Sequence, residues 1–389
     1  MHANLLRSTT KLAMATDTAQ KNIPKGWQKK QIKDLLDYER PDNYIVESTS
    51  YSDKAKTPVL TANKSFVLGY TDEDFGIYKN IPAIIFDDFT TDSKFVDFPF
   101  KIKSSAIKLL KNKDGVDLRF VYEKMKSINF PTGSHKRFYI SQYQNMEVNI
   151  PPLTEQKKIA EILVAVDEEI QKTDEIIAAT EKLKRGLMAD IFKTKRGWKR
   201  VTVNELGKIV TGNTPKTARK ENYGNDYVWV SPRDIFGQKY ISESTKMLST
   251  EGFAQTRKLP AGSILVVCIG STIGKVGIAA KELSTNQQIN SIVVNKENNN
   301  EFIYYTLLFN KARILEKVST QAVPIINKNT FSDVSITVPA DKDEQQKIAG
   351  ILSSVDEKVS VNQKLKAKLT LLKKGLMQDL LSGTKRVKV

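Results

Sequence analysis

Apolar side chains recur at helical spacing over two long stretches of this chain. In residues 155–190, Ile159, Leu163, Val166, Ile170, Ile177 and Leu187 fall on the a and d positions of a heptad pattern. In residues 344–379, Ile348, Leu352, Val355, Val359, Leu369 and Leu376 fall on the same positions. The stretches align without a gap at an offset of 189, and 17 of 36 positions are identical. Ile162, Ile176, Leu183, Ile351, Leu365 and Leu372 widen the stripe, while polar Thr173 and Asn362 sit at matching places within it, where they could set register. Each stretch predicts one helix of about 38 residues, roughly 57 Å long at 1.5 Å per residue. Thr154, after Pro151-Pro152, is the expected N-cap of the first; Asp341 with Glu344 suits a capping box at the second. A helix with a single apolar stripe needs a partner. The best-matched partner is the other copy, and antiparallel pairing is expected.

The rest of the chain alternates in shorter runs. Gly26-Trp27 and Gly197-Trp198 open similar segments, with Asp34-Leu35 corresponding to Glu205-Leu206. Short apolar runs around residues 56–62, 82–89 and 94–103 predict strands, followed by a helix near 116–128. The second half predicts strands at 227–230, 262–270, 275–280 and 291–295, then a helical stretch over 301–318. The expected fold class is α+β: two mixed α/β globules separated by two long helices that form an antiparallel coiled coil, with a pseudo-two-fold internal repeat. The expected segments are a tail (1–25), a globule (26–152), a helix (153–193), a second globule (197–339), a second helix (341–382) and a tail (383–389).

Charge narrows the partner. The formal net charge is +17 over 389 residues. The two repeats are nearly neutral, so almost all of the basic excess lies in the globules, linkers and tails. That distribution favours a polyanion, nucleic acid or an anionic membrane face. No run approaches the roughly 18 apolar residues that would span a bilayer, so no membrane partner is expected. The N-terminus lacks an apolar signal-peptide core. The single cysteine, Cys268, sits in an apolar run and suits a reducing, cytoplasmic setting. Basic clusters occur at Lys101, Lys103 and Lys108; at Lys111 and Lys113; at His135, Lys136 and Arg137; at Lys195, Arg196, Lys199 and Arg200; and at Lys216, Arg219 and Lys220. Side chains able to read base edges stand on predicted loops: Asn63, Lys64, Lys136, Arg137, Arg233, Gln287, Gln288 and Asn290. With Lys101, Lys103, His135, Lys216, Lys220 and Lys275 they form the candidate DNA-binding set.

Catalytic constellations are scarce, and no catalytic or metal-ligating residue is assigned. His2 and His135 have no spaced partners for zinc. Gly270-Ser271-Thr272-Ile273-Gly274-Lys275 is one residue short of a phosphate loop, with Val276 where the magnesium hydroxyl belongs; it reads as a turn between strands. Asp87-Asp88 could hint at a metal nuclease, but neighbours on a strand point to opposite faces. The chain reads as a recognition protein. The alternative from another class is a coiled-coil scaffold whose basic globules bind RNA or acidic proteins.

These features resemble the specificity subunit of a type I restriction–modification enzyme. The resemblance rests on both Gly-Trp openings and both P-x-x-x-E-Q-x-K-I-A-x-I-L-x-x-x-D helices, the second with one more residue of spacing. It rests also on TGNTPKT, YVWVSPRDI, STIGKVGIA and NQQI in the second globule. TPVLTANKSFVLGYTDEDFGIY, AIIFDDFT and HKRFYISQY in the first are similar to a different class of target recognition domain. The resemblance implies that each globule reads one half of a bipartite, asymmetric site in double-stranded DNA, and that the helices set the unread spacer. It implies two methyltransferase subunits docked at the helices, with S-adenosylmethionine, and motor–nuclease restriction subunits with ATP and Mg. This chain would itself bind no cofactor.

Overall fold

The computed structural model describes residues 23–63, 65–131, 136–193, 197–319 and 323–388. His2, Lys64, His135, Lys195 and Arg196 lie outside the described residues. The chain divides into two compact units, Met1–Thr173 with Leu365–Val389, and Asp174–Lys364. Each of the long helices, Leu153–Ile191 and Lys342–Ser382, contributes a part to both units.

In the first unit, strand Gln28–Gln31 pairs antiparallel with Glu147–Ile150 and closes the globule just before the first long helix. A four-stranded sheet carries Ala83–Asp87 in its interior, between Ile107–Asn112 and Ser93–Val96. The run Ala-Ile-Ile-Phe shows no polar alternation because both faces of that strand are covered. Ile84 and Phe86 face a core with helix Leu118–Lys126 and the long helices. Ala83 and Ile85 face a second core, with Leu60, Phe100 and Ile102. Ile159 and Leu163 share the first core with Leu380 and Leu381, while Leu376 packs against it. The helical segments run in opposite senses: Glu155 meets Arg386, and Asp167 meets Lys373 at 2.6 Å.

The second unit repeats this plan with other residues. Trp198–Thr202 pairs antiparallel with Ser335–Pro339 just before the second long helix. Ile264–Val267 lies inside a five-stranded sheet and is again buried on both faces. Ile264 and Val266 face a core with Phe302, Ile348 and Leu352, against which Leu187, Met188 and Ile191 pack. Leu265 and Val267 face a core toward the loops, with Val228, Ile235 and Ile289. Lys184 meets Asp356 at 2.5 Å while the later Leu187, Met188 and Ile191 pack on the core that holds the earlier Ile348 and Leu352, so these helical segments also run in opposite senses.

Repeated residues do repeated work. Asp34 accepts the Gln31 amide at 2.9 Å and Glu205 that of Thr202 at 2.6 Å, capping the same turn in each unit. Gly26 and Gly197 both hold positive φ, +83° and +94°, in open space, so the backbone conformation alone requires glycine there. Asp167–Lys373 and Lys184–Asp356 are the same two repeat positions, exchanged between helices. In unit one the globule's helix meets this pair through Glu123, fully buried, which Arg119 and Lys373 contact at 3.2 and 3.6 Å. In unit two Tyr305 donates to Asp356 at 2.6 Å.

One feature is not symmetric. Trp198 donates its indole N–H to Glu344 at 3.0 Å. The matching Glu155 is instead gripped at both oxygens by Arg386, at 2.6 and 2.7 Å, and the buried Trp27 N–H has no partner among the described residues. A two-point charged bond outcompetes a neutral indole donor.

Four expectations about the helices need correction. The first helix begins at Leu153, so Thr154 lies inside its first turn rather than at the cap. Asp341 does cap the second, accepting the Asp343 amide at 3.0 Å, but Glu344 leaves the capping box for Trp198. Thr173 and Asn362 bond to carbonyls of their own helices, Glu169 at 2.7 Å and Lys358 at 2.8 Å, instead of reaching across. Ile176, Leu183, Ile351, Leu365 and Leu372 are exposed; only Ile162 of the widening set packs on a core. Among the heptad positions Ile159, Leu163, Ile348 and Leu352 are buried, and Val166, Ile170, Ile177, Leu187, Val355, Val359, Leu369 and Leu376 are half-buried.

Replacing Lys373 with methionine removes an ammonium from Asp167 and Glu123. The expected loss is about 2 kcal/mol, less than for a fully buried pair because Arg119 stays. The denaturant midpoint of the full chain reads it, and an unchanged midpoint would mean that the pair does not seat these helices. Lys124 offers a second test. Its ammonium donates to the Leu381 carbonyl at 2.6 Å, and burial pulls its pKa down to about 8. The unfolded chain keeps that proton up to about pH 10.5, so between the two values this group makes stability rise with pH. Lys124→Met is expected to flatten that rise when denaturation midpoints are compared from pH 7 to 10.5; identical slopes would refute the assignment.

Candidate nucleic-acid interface

In the second unit, loops above the outer core form a groove of about 430 Å³. Asp234 organises one wall. Its Oδ2 accepts from the Ser231 amide and hydroxyl at 2.8 and 2.7 Å, and its Oδ1 from the Thr245 amide and hydroxyl at 2.8 and 2.7 Å. Burial alone would raise this carboxyl's pKa, but the four bonds outweigh it and hold it below the ordinary value. The turns carrying Arg233 and Lys246 are thereby tied together, and both cations line the groove. The opposite wall is the loop joining Ile264–Val267 to Val276–Ala279. Gly270 and Gly274 take positive φ in it, and Lys275 ends it. Asn286 and Gln288 line the groove together with Trp229, whose indole N–H donates to the Asn213 carbonyl at 3.1 Å. Arg233, Lys246 and Lys275 have no carboxylate partner among the described residues, and no acid lines the groove.

The first unit presents a smaller polar surface. The Thr90 hydroxyl reaches Asn63 at 3.4 Å, and Arg137 lies 5.8 Å from the Phe89 ring. Asn63, Lys136 and Arg137 are exposed and flank the 87–92 turn; Lys103 is half-buried and lies 5.6 Å from the Tyr51 ring. Lys64 and His135 lie outside the described residues.

Two candidates are withdrawn because they are buried. Lys101 is fully enclosed, bonded to Glu73 at 2.6 Å and the Phe75 carbonyl at 2.9 Å. Asn290 lies in a strand and accepts from Thr211 at 2.6 Å. Lys108, in the same basic cluster as Lys101, is also buried, with Asp88 at 3.5 Å. The structure brings Arg233, Lys275 and Gln288 into one groove. Gln287 is exposed beside it, accepting from Thr214 at 2.5 Å, and Lys216 and Lys220 stand exposed on the neighbouring loop. Sequence reasoning missed Trp229, Lys246, Ser271, Thr272 and Asn286. Asn286 was recoverable, since its i, i+2 spacing from Gln288 suits one face of an extended segment.

The other motifs are structural. Residues 270–275 lie in the loop of a β-hairpin. Asp87 accepts the Phe89 and Thr90 amides at 2.9 Å, and Asp88 accepts the Tyr139 amide at 2.7 Å. Among the described residues no group of three or more acids, histidines or cysteines could hold a metal ion. Burial pushes the Cys268 thiol up to about 11. No helix among the described residues is long and apolar enough to cross a membrane.

Two α+β units with exposed cations on loops, each built on the same helix repeat, define a two-headed nucleic-acid recognition protein. Residues 24–181 and 195–371 match the type I restriction modification DNA specificity domain, and the chain belongs to that family. It is similar to the EcoR124I/EcoR124II type I restriction enzyme specificity subunit of Escherichia coli, with 33% identity over 350 residues, 84% of this chain and 85% of the relative. It is 24% identical over 412 residues to a putative type I restriction enzyme specificity subunit, MjaX, of Methanocaldococcus jannaschii, covering 94% of this chain and 95% of that one. The fold is similar to the crystal structure of a type I restriction–modification S subunit from M. genitalium, with a TM-score of 0.69, 16% identity, and coverage of 93% and 97%.

Asp234→Ala is expected to free the turns bearing Arg233 and Lys246. Loss of buried bonds to a carboxylate costs about 1–3 kcal/mol of stability, and DNA affinity should fall while Lys275 remains in place. A thermal-melt shift together with a band-shift titration checks this; unchanged affinity would mean that Asp234 does not organise the interface.

Proposed function

We propose that this chain is the DNA-recognition subunit of a type I restriction–modification complex, reading double-stranded DNA at two different half-sites. Residues 26–152 and 197–339 act as target recognition domains; residues 153–193 and 341–382 act as spacer helices. The observation that carries the reading is the acid-free groove in the second unit, lined by carboxamide side chains and by three cations without a carboxylate partner among the described residues. Cations position phosphates, while carboxamides discriminate base edges. In the first unit Asn63, Lys103, Lys136 and Arg137, with Lys64 and His135, are the proposed contacts. In the second they are Lys216, Lys220, Arg233, Lys275, Gln287 and Gln288.

The proposal extends to partners. Two methyltransferase subunits dock on the helices, whose exposed Ile176, Leu183, Ile351, Leu365 and Leu372 supply apolar surface beyond what the helix pairing uses. They bring S-adenosylmethionine; restriction subunits bring ATP and Mg. This chain supplies recognition in the cytoplasm and leaves chemistry to its partners. The scaffold alternative finds no support in the family or its members.

Genome-wide methylation mapping in a host expressing the chain with its methyltransferase subunit is expected to give one bipartite, asymmetric motif. Inserting one helical turn, about four residues, near Thr173 or Asn362 should lengthen the unread spacer and preserve both half-sequences. A single contiguous motif would overturn the two-headed reading. An unaltered spacer would overturn the assignment of spacing to the helices.

A further inference from the structure

The groove in the second unit has a hydrogen-bonding polarity that can be deduced from its geometry. The Gln288 backbone N–H donates to Asn286 Oδ1 at 3.1 Å. A backbone amide can only donate, so that end of the Asn286 side chain must be its carbonyl oxygen. The other end is therefore the amino group, and it donates to Gln288 at 2.8 Å. The Gln288 atom receiving it must in turn be its carbonyl oxygen. This chain of donors fixes both amide orientations without any appeal to a ligand. Asn286 is itself held in place, since its backbone amide donates to the Val230 carbonyl at 2.9 Å.

What remains is the Gln288 Nε2 amino group. It has no acceptor among the described residues, and it lies over the loop glycine, 3.7 Å from where a β-carbon on Gly270 would stand. Arg233, Lys246, Lys275 and Trp229 line the same groove. The groove thus combines a free amino donor with three cations that have no carboxylate partner among the described residues.

We propose that Gln288 is a specificity-determining residue that donates from Nε2 to an acceptor on a base edge, the N7 of a purine, the O6 of guanine or the O4 of thymine, and so selects against cytosine. This rests on the DNA-reading function proposed above and specifies its chemistry at one position. A free glutamine recognises adenine with its carbonyl and amino groups together. Here the carbonyl oxygen already accepts from Asn286, so the group left without a partner is a donor, which guanine, adenine and thymine can each accept in the major groove. Cytosine N4 presents an amino group to an amino group and is disfavoured. Arg233, Lys246 and Lys275 hold the adjoining phosphates and contribute affinity without selecting sequence.

The test selects binding sites from a randomised duplex pool. It uses the full chain assembled with its methyltransferase subunits, as wild type, Gln288→Glu and Lys275→Ala. Glutamate preserves an acceptor for Asn286 but replaces the amino donor with a carboxylate oxygen. Wild type is expected to enrich a bipartite motif that excludes cytosine at the relevant position. Gln288→Glu should shift one position of one half-site toward cytosine, by roughly 10- to 100-fold in relative preference. Lys275→Ala should keep the motif, weaken binding to all sequences alike, and lower the slope of log affinity against log salt by about one. A Gln288→Glu motif identical to that of wild type would overturn the assignment of Gln288 while leaving the DNA-reading function intact. So would a change spread over both half-sites. Failure of the wild type to enrich any motif would overturn the function on which this inference stands.

Discussion

One carboxylate–ammonium pair, used twice, anchors each unit. Asp167 with Lys373 and Asp356 with Lys184 occupy identical positions of the helix repeat, with the donor and acceptor helices exchanged. A heptad stripe alone leaves register poorly determined, because a slide of seven residues again matches apolar with apolar. A charged pair with its neighbours in place breaks that degeneracy. Sliding would take Lys373 from Asp167 and the buried Glu123, leaving Arg119 alone with two carboxylates, and would take Lys184 from Asp356; separating such charge pairs costs stability. The pair also ties the helices to the globule, since the globule's own helix supplies Glu123 and Arg119 in one unit and Tyr305 in the other.

The doubly buried strands explain how a fixed helical platform coexists with variable loops. Ala83–Asp87 and Ile264–Val267 each separate a core that reaches the long helices from a core that faces the loops. Substitutions in the outer core repack Val228, Ile235 or Ile289 without touching Ile348 or Leu352. Recognition loops can then diverge between the two units while the helix-facing half stays alike. The shared capping turns at Asp34 and Glu205, on the helix side, fit this division.

Much of the architecture was legible because periodicity is a long-range signal. Seventeen identities at one offset are hard to misread, and the unbroken apolar runs at 83–86 and 264–267 pointed to strands, though not to their burial on both faces. The helix starts were read less well, since the first helix begins at Leu153, one residue before Thr154, and Glu344 has a stronger partner 146 residues away in Trp198. The candidate site was half legible. Arg233, Lys275 and Gln288 advertise themselves as polar loop residues. Lys246 and Trp229 become groove residues only because Asp234 ties residues 231 and 245 together, a contact that no local pattern announces. Lys101 shows the reverse failure. In sequence it is one more cation among Lys103 and Lys108; in the fold Glu73 neutralises it inside the protein.

That last contrast bears on what the net charge of +17 means. A lysine facing a carboxylate has already exchanged its counterion for a protein group and has little to offer a phosphate. Lys101, Lys108, Lys239 and Lys373 are of this kind, each within 4 Å of an acid. Arg233, Lys246 and Lys275 have no carboxylate partner among the described residues, so their field stays available, and the walls of the groove concentrate it. Counterion release, and hence salt-sensitive affinity, follows the number of such unpaired cations that meet phosphate rather than the total. The acid needed to fold that wall, Asp234, spends its two oxygens on Ser231 and Thr245. The groove therefore acquires rigidity from a carboxylate whose hydrogen-bonding capacity is turned away from the ligand.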